Sequence, residues 1–168
     1  MRPPAIGCWL HNGVTVARSS IAGRGLFATV SIPQGTAVSR LGGQLCSTDE
    51  LYKLLDAPEY VDSIVVDADT HLVLAPGNSN RFGNHGCDPN LWWTDEYTLS
   101  TRRDIPAGDE LTCDYSTSTA DSQFLLRCHC GSSRCRQMVT GDDWRIPQLQ
   151  QAYAGHWVPM LQHLIDQL

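Results

Sequence analysis

Lysine is almost missing from this chain of 168 residues: Lys53 is the only one, and the remaining basic charge is arginine. No basic stripe exists that would neutralise a row of phosphates, so direct nucleic-acid binding is disfavoured. Long apolar runs are missing too. None approaches the ~20 residues needed to cross a bilayer, so no membrane span is expected. Met1-Arg2-Pro3-Pro4 opens no secretory signal. The seven cysteines make an odd count and cluster as metal ligands do. That fits a reducing, intracellular and cytoplasmic setting (nuclear if the source has a nucleus) better than a disulfide scaffold. Repeats, low-complexity tracts and an obvious linker are absent as well, which points to one domain with a real core.

The charge that is present is unevenly placed. Between Cys46 and Thr70 stand seven acids, Asp49, Glu50, Asp56, Glu59, Asp62, Asp67 and Asp69, against Lys53. That stretch carries net −6, the whole formal charge of the protein. It reads either as a solvated surface or as a field that draws in a basic peptide.

Residues 14–16, 25–30, 37–41, 63–67, 71–74, 97–103 and 110–114 read as short strands. Turns such as Ile32-Pro33-Gln34-Gly35 and Ile105-Pro106-Ala107-Gly108 punctuate them. A capped helix opens at Thr48-Asp49-Glu50-Leu51, runs through Leu55 and ends before Pro58. The pattern is mainly β. Trp92 and Trp93, on a strand, point to opposite faces, one toward the core and the other able to flank a channel. The end of the chain differs. Residues 147–153 read as a short helix broken by Gly155. After Pro159, the residues Met160, Leu161, Leu164, Ile165 and Leu168 form an apolar helical stripe. The stripe packs on the chain's own core or on a second copy, so both monomer and dimer stand open.

Cys128, Cys130 and Cys135 have C-x-C-x4-C spacing, and Cys87 lies upstream in Asn84-His85-Gly86-Cys87-Asp88-Pro89-Asn90. Four thiolates suit tetrahedral zinc, and four protein ligands leave no open position, so the role is structural. Such a clip ties the tail to the middle of the domain. It also brings Tyr115, at the end of Gly108-Asp109-Glu110-Leu111-Thr112-Cys113-Asp114-Tyr115, close to the Asn-His pair.

At these residues a resemblance becomes specific. Gly23-Arg24-Gly25-Leu26-Phe27-Ala28, Arg81-Phe82-Gly83 with the Asn-His block, and the block ending in Tyr115 occur in the order that resembles SET-domain protein-lysine methyltransferases. The cysteine knuckle is similar to that family's post-SET zinc segment, whose fourth ligand comes from Asn-His-x-Cys. The resemblance covers roughly residues 10–140. It implies a mainly β fold of small curved sheets with a threaded C-terminal segment. The SET domain would span 10–120 with a variable insert at 45–76, followed by the zinc segment at 124–140 and a helical extension at 141–168.

The resemblance also implies a chemistry: methyl transfer from S-adenosylmethionine to a lysine on a basic protein or peptide. Tyr115 takes the family's catalytic tyrosine position. Asn84 and His85, with Gly23, Arg24 and Gly25, match the donor-binding positions. Arg81 and Tyr60 are further contacts for the donor's carboxylate, and Met138 and Val139 would pack on its adenine. Cys87, Cys128, Cys130 and Cys135 would hold zinc. An apolar channel disfavours the ammonium form of lysine, so no dedicated general base is required.

Three departures carry expectations of their own. Gly86 replaces a frequent serine harmlessly. Gln137 replaces a glycine common after the Cys-Arg pair, so the backbone turns differently there. Cys113 is small where aromatic bulk limits methyl number, which leaves room for a di- or trimethylated amine. Two other functions fit the same residues: a non-catalytic SET-like peptide-binding module, and an N-methyltransferase of a small amine.

Overall fold

Two turns of one design hold the centre of the fold. In the computed structural model, which describes residues 3–58 and 61–168, Thr36 N–H reaches Pro33 O and Asp109 N–H reaches Pro106 O, each at 3.3 Å. Gly35 and Gly108 have φ of +79° and +94°, as the third position of a type II turn demands. Just before each turn, Ile32 and Ile105 exchange backbone hydrogen bonds of 2.8 and 2.9 Å. Both side chains are buried. The strands leaving the two turns enter different sheets.

The first sheet orders its strands Trp9–Leu10, Ala37–Arg40, Thr98–Thr101 and Leu91–Trp93. The second orders Val14–Arg18, Arg24–Ala28, Glu110–Cys113 and Asn84–His85. In it, Glu110–Cys113 pairs antiparallel with Arg24–Ala28 on one side. On the other it runs parallel to Asn84–His85, with Thr112 opposite Asn84 and Cys113 opposite His85. A parallel pair cannot be closed by a hairpin, so this ladder joins segments remote in sequence. All three motif blocks thereby meet in one sheet.

The insert forms a third sheet, ordered Gly43–Cys46, Thr70–Leu74, Ser63–Asp67, and carries helix α1, Thr48–Leu55. Its capping box is built by Ser47, whose hydroxyl accepts from Glu50 N–H while the Glu50 carboxylate accepts from Ser47 N–H at 2.8 Å. Thr48 hydrogen-bonds His71 Nε2 through its hydroxyl, at 3.0 Å. Leu51 is buried beneath α1, while Tyr52, Leu54 and Leu55 stay exposed. A hairpin of Leu125–Arg127 and Met138–Thr140 brackets the cysteine knuckle.

Helices α2, Pro147–Ala152, and α3, Pro159–Asp166, close the chain, each with proline in its first turn. The apolar stripe packs on the protein's own core: Leu161 and Val158 are wholly enclosed, with Met160, Leu164 and Ile165 against them. Leu168 projects into solvent. Trp93 is buried and donates its indole N–H to the Thr117 hydroxyl at 3.0 Å. Trp92, on the other face, stacks on His156 at 3.4 Å between ring centroids. Among the described residues, no helix is long and apolar enough to cross a membrane.

Candidate active site and metal centre

Tyr115 opens a single 3-10 turn directly after the Glu110–Cys113 strand, and the Asp114 side chain caps that turn. Its hydroxyl donates to Gly83 O at 2.7 Å. Its backbone N–H donates to His85 Nδ1 at 3.2 Å. Because Nδ1 accepts there, Nε2 is the protonated nitrogen, and it lies 3.2 Å from Cys87 Sγ. Both ring nitrogens of His85 are thus committed within the protein, leaving only its backbone for a ligand. Burial lowers the His85 pKa, outweighing the neighbouring Asp114, so the ring is neutral.

Asn84 binds the Gly23 loop to the same sheet. Its amide nitrogen lies 3.0 Å from Arg24 O, 3.3 Å from Ala22 O and 2.7 Å from Glu110 Oε1. The two glycines of the loop have separate physical reasons. Gly23 has φ of +46°. A Cβ on Gly25 would meet the Glu110 carboxylate at 2.1 Å, so any larger residue there would push that side chain off its hydrogen bonds to Ser19 and Asn84. Gly86 is likewise constrained: a Cβ would lie 2.8 Å from the Thr112 hydroxyl, so serine would force Thr112 aside.

A cavity of about 610 Å³ opens between the insert, the residues after Tyr115 and α3. Arg81, Gly83, Cys113, Tyr115 and Phe124 line it, with Asp62 and Asp121 as its acidic groups. Gly23, Arg24, Gly25, Asn84, His85, Met138 and Val139 are not in its wall. Arg24 and Arg81 instead share a second cleft of about 600 Å³, with their guanidinium carbons 4.5 and 5.7 Å from the Phe82 ring centroid. Arg81 also pairs with Asp62 at 3.4 Å. Tyr60 lies outside the described residues. In the main cavity, burial and then the Asp114 charge push the Cys113 thiol up to about 12. Burial also holds His71 below its ordinary value, despite Asp69 and Asp121. Cys113 and His71 thus bring no charge to the wall, whose charged groups are Arg81, Asp62 and Asp121. Such a cavity accepts a cationic chain at its acidic positions and disfavours charge at its apolar ones.

The four predicted thiols converge. The sulfurs of Cys87, Cys128, Cys130 and Cys135 all lie within 4.8 Å of one another, and Cys87 Sγ is 3.8 Å from Cys128 Sγ. Zinc with bonds of about 2.3 Å in a tetrahedron needs sulfur–sulfur edges of about 3.8 Å, so the cluster fits that ion. Backbone N–H groups of Arg136 and Gln137 point at Cys87 Sγ and Cys135 Sγ, at 3.3 and 3.4 Å, as donors that stabilise thiolate. Burial pushes the Cys87 thiol up to about 11, and a cation entering the cluster would displace that proton.

Two sequence expectations change here. Val139 is wholly buried against Cys87 and Cys128, so its side chain supports the thiol cluster and does not face a cofactor. Met138 is the one left exposed. Gln137 has φ of +62°, so the chain keeps the turn a glycine would make and does not take a different one.

Sequence reasoning missed a buried ionic network. Arg136 grips Asp114 through Nη1 to Oδ2 at 2.7 Å and Nη2 to Oδ1 at 2.8 Å, and reaches Asp143 through Nε at 3.0 Å. Tyr153 adds its hydroxyl to Asp114 Oδ2 at 3.1 Å. Burial raises the Asp114 carboxyl, but the hydrogen bonds and charge of Arg136 outweigh it and the pKa is lowered. The position of Arg136 beside a ligand cysteine was a signal. Tyr153 carried none.

The SET domain family model matches residues 23–116, more than half of the chain. Human histone-lysine N-methyltransferase 2B is 34% identical over 143 residues, covering 75% of this chain. The Drosophila melanogaster histone-lysine N-methyltransferase trithorax is 35% identical over 143 residues, again 75% of this chain. The chain spans only 5% and 4% of those two relatives' own lengths. In fold, it is similar to the crystal structure of the methyltransferase domain of human histone-lysine N-methyltransferase SETMAR. The TM-score is 0.59 at 23% identity, over 77% of this chain and 57% of that one. Three remote motif blocks joined in one sheet, a thiol cluster beside them and these matches lead to one assignment: the chain belongs to the SET-domain family.

Proposed function

We propose that this protein is an S-adenosylmethionine-dependent lysine N-methyltransferase acting on a basic protein. The observation that carries this reading is the Tyr115 hydroxyl, fixed on Gly83 O at 2.7 Å in the wall of a largely apolar cavity. When bound, S-adenosylmethionine supplies a methyl group on a sulfonium, an excellent leaving group. The protein has to align an amine, keep it neutral and exclude water.

Tyr115 orients the amine through its hydroxyl oxygen, whose own proton is engaged by Gly83. The apolar wall favours the deprotonated amine, and Asp62 and Asp121 draw the cationic side chain in before it loses its proton. Asn84, His85 through its backbone, and the Gly23–Arg24–Gly25 loop would hold the donor. Arg81 would contact its carboxylate, and the exposed Met138 would pack on its adenine. Zinc on the four cysteines is structural.

The proposed organisation is a SET domain over 10–120, a zinc segment over 124–140 and an extension over 141–168, in a reducing intracellular setting. The acidic insert favours a basic target. The relatives are named for histone lysine, so core histones are the first probe. The test is incubation of the zinc-loaded protein with tritiated donor and mixed histones, beside Tyr115→Phe. Label on histone lysine with wild type, reduced about 100-fold in the variant, is expected from losing a polar group at the reacting centre. Equal labelling by both proteins would remove Tyr115 from the mechanism. Donor binding without label in any protein would favour a binding module.

A further inference from the structure

We propose that Tyr153, in the C-terminal extension, is a positioning residue for Tyr115 and acts through Asp114. The inference rests on the reading of Tyr115 as the residue at the methyl-transfer centre. Asp114 immediately precedes Tyr115 and is 2% exposed. Its Oδ1 accepts from Arg136 Nη2, from Ser116 N–H and from the Ser116 hydroxyl, at 2.8, 3.1 and 2.8 Å. Its Oδ2 accepts from Arg136 Nη1 and from the Tyr153 hydroxyl. The carboxylate is therefore gripped from the zinc segment, from its own turn and from the extension. Fixing it fixes the peptide plane that launches Tyr115.

Tyr153 is suited to this. It is buried, and its ring meets Trp157 edge-on at 5.9 Å. Arg102 lies over its face at 5.5 Å. Burial first, and Asp114 second, raise its pKa, so the phenol stays protonated and donates. The extension is further tied to the turn of Tyr115 by Val158 N–H to Thr117 O at 3.0 Å, and His156 lies 2.8 Å from Trp93 O. The family match ends at residue 116, so the positioning contact comes from a part of the chain outside it.

The test is Tyr153→Phe in the full zinc-loaded chain. The phenyl ring keeps both aromatic contacts and loses only the hydroxyl. The expected result is a fall in kcat of roughly ten-fold, the size of one lost hydrogen bond to a charged group, with KM for donor and peptide within about two-fold. A second readout needs no activity: with 13C-labelled tyrosine rings, the Tyr115 resonance, assigned by its loss in Tyr115→Phe, should shift or broaden in Tyr153→Phe. An unchanged kcat and an unchanged Tyr115 resonance overturn the inference. A lower melting temperature with normal kcat overturns it too, since the role would then be structural only. If wild type transfers no methyl group, the functional reading fails, while the resonance still decides whether Tyr153 positions Tyr115.

Discussion

Arg136 holds both carboxylate oxygens of Asp114, at 2.7 and 2.8 Å, and so couples the neighbour of Cys135 in the thiol cluster to the neighbour of Tyr115. The Asp114 side chain has no exposed surface and that of Arg136 only 15%. Removing the guanidinium leaves a carboxylate buried without its main partner. Arg136→Ala should therefore cost about 3–5 kcal/mol in urea unfolding of the zinc-loaded protein. Arg136→Lys should recover only part, because an ammonium cannot match two oxygens in a fork. Equal stability of wild type and alanine variant would show the pair to be dispensable.

The thiol cluster should take up about one zinc ion per chain, measured by elemental analysis after gel filtration. Cys128→Ser should lower that content and the melting temperature together, since Cys128 is buried against Cys87 and Val139. Cys46→Ser should do neither, because that thiol lies apart from the cluster. Retention of full zinc by Cys128→Ser would refute the ligand set.

Acid should undo the Asp114 anchor in a defined direction. The folded-state pKa of Asp114 is depressed, mainly because Arg136 overrides the effect of burial. In the unfolded chain an aspartate binds its proton near pH 3.9. The unfolded state therefore binds more protons between the two values, and stability falls as pH drops through that window. The contribution is fully present above about pH 4 and gone below the folded pKa. Asp114→Asn should flatten this limb of the urea-midpoint profile. An unchanged acid slope in the variant would assign the loss to other carboxylates.

Gln137 stores backbone strain beside the thiol cluster. Among the described residues it is the non-glycine with positive φ, at 62°, and its side chain is exposed. The left-handed conformation costs an L-residue about 1–2 kcal/mol, and glycine's extra unfolded freedom returns about 0.5–1 of that. Gln137→Gly should raise stability by roughly the difference, about 0.5–1 kcal/mol, as a higher urea midpoint at unchanged slope. Gln137→Val should lower it. A destabilised glycine variant would mean that the glutamine side chain earns its place by a contact.

How much of this was legible beforehand follows from the range of each interaction. Helix α1 was legible because a capped start and a proline stop are local signals, although the cap is Ser47 and not Thr48. The two Ile-Pro-x-Gly turns were legible for the same reason. Strand Asn84–His85 was not, because it is only two residues long and pairs with Thr112 and Cys113, far along the chain. The four cysteines announced themselves through spacing and chemistry. Which side chains line the cavity did not, because Arg81 and Tyr115 enter its wall while Asn84 and His85 turn into the protein's own hydrogen bonds.

On the proposed function, Cys113 would help set how much room surrounds the amine. It lines the cavity two residues before Tyr115, and its thiol is held neutral by burial and by Asp114. A neutral thiol neither attracts the amine nor competes as a nucleophile. Its contribution is therefore volume. Replacing it with tyrosine fills that volume and sets a second hydroxyl near the amine. The added oxygen can hold the amine by a hydrogen bond, while the added ring leaves less space for methyl groups already transferred. Cys113→Tyr should therefore shift products toward fewer methyl groups, with wild type reaching di- or trimethyl-lysine, as read by mass spectrometry of a peptide at matched turnover. A wild type that stops at monomethyl-lysine, or a variant with an unchanged product distribution, would show that another part of the wall sets the limit.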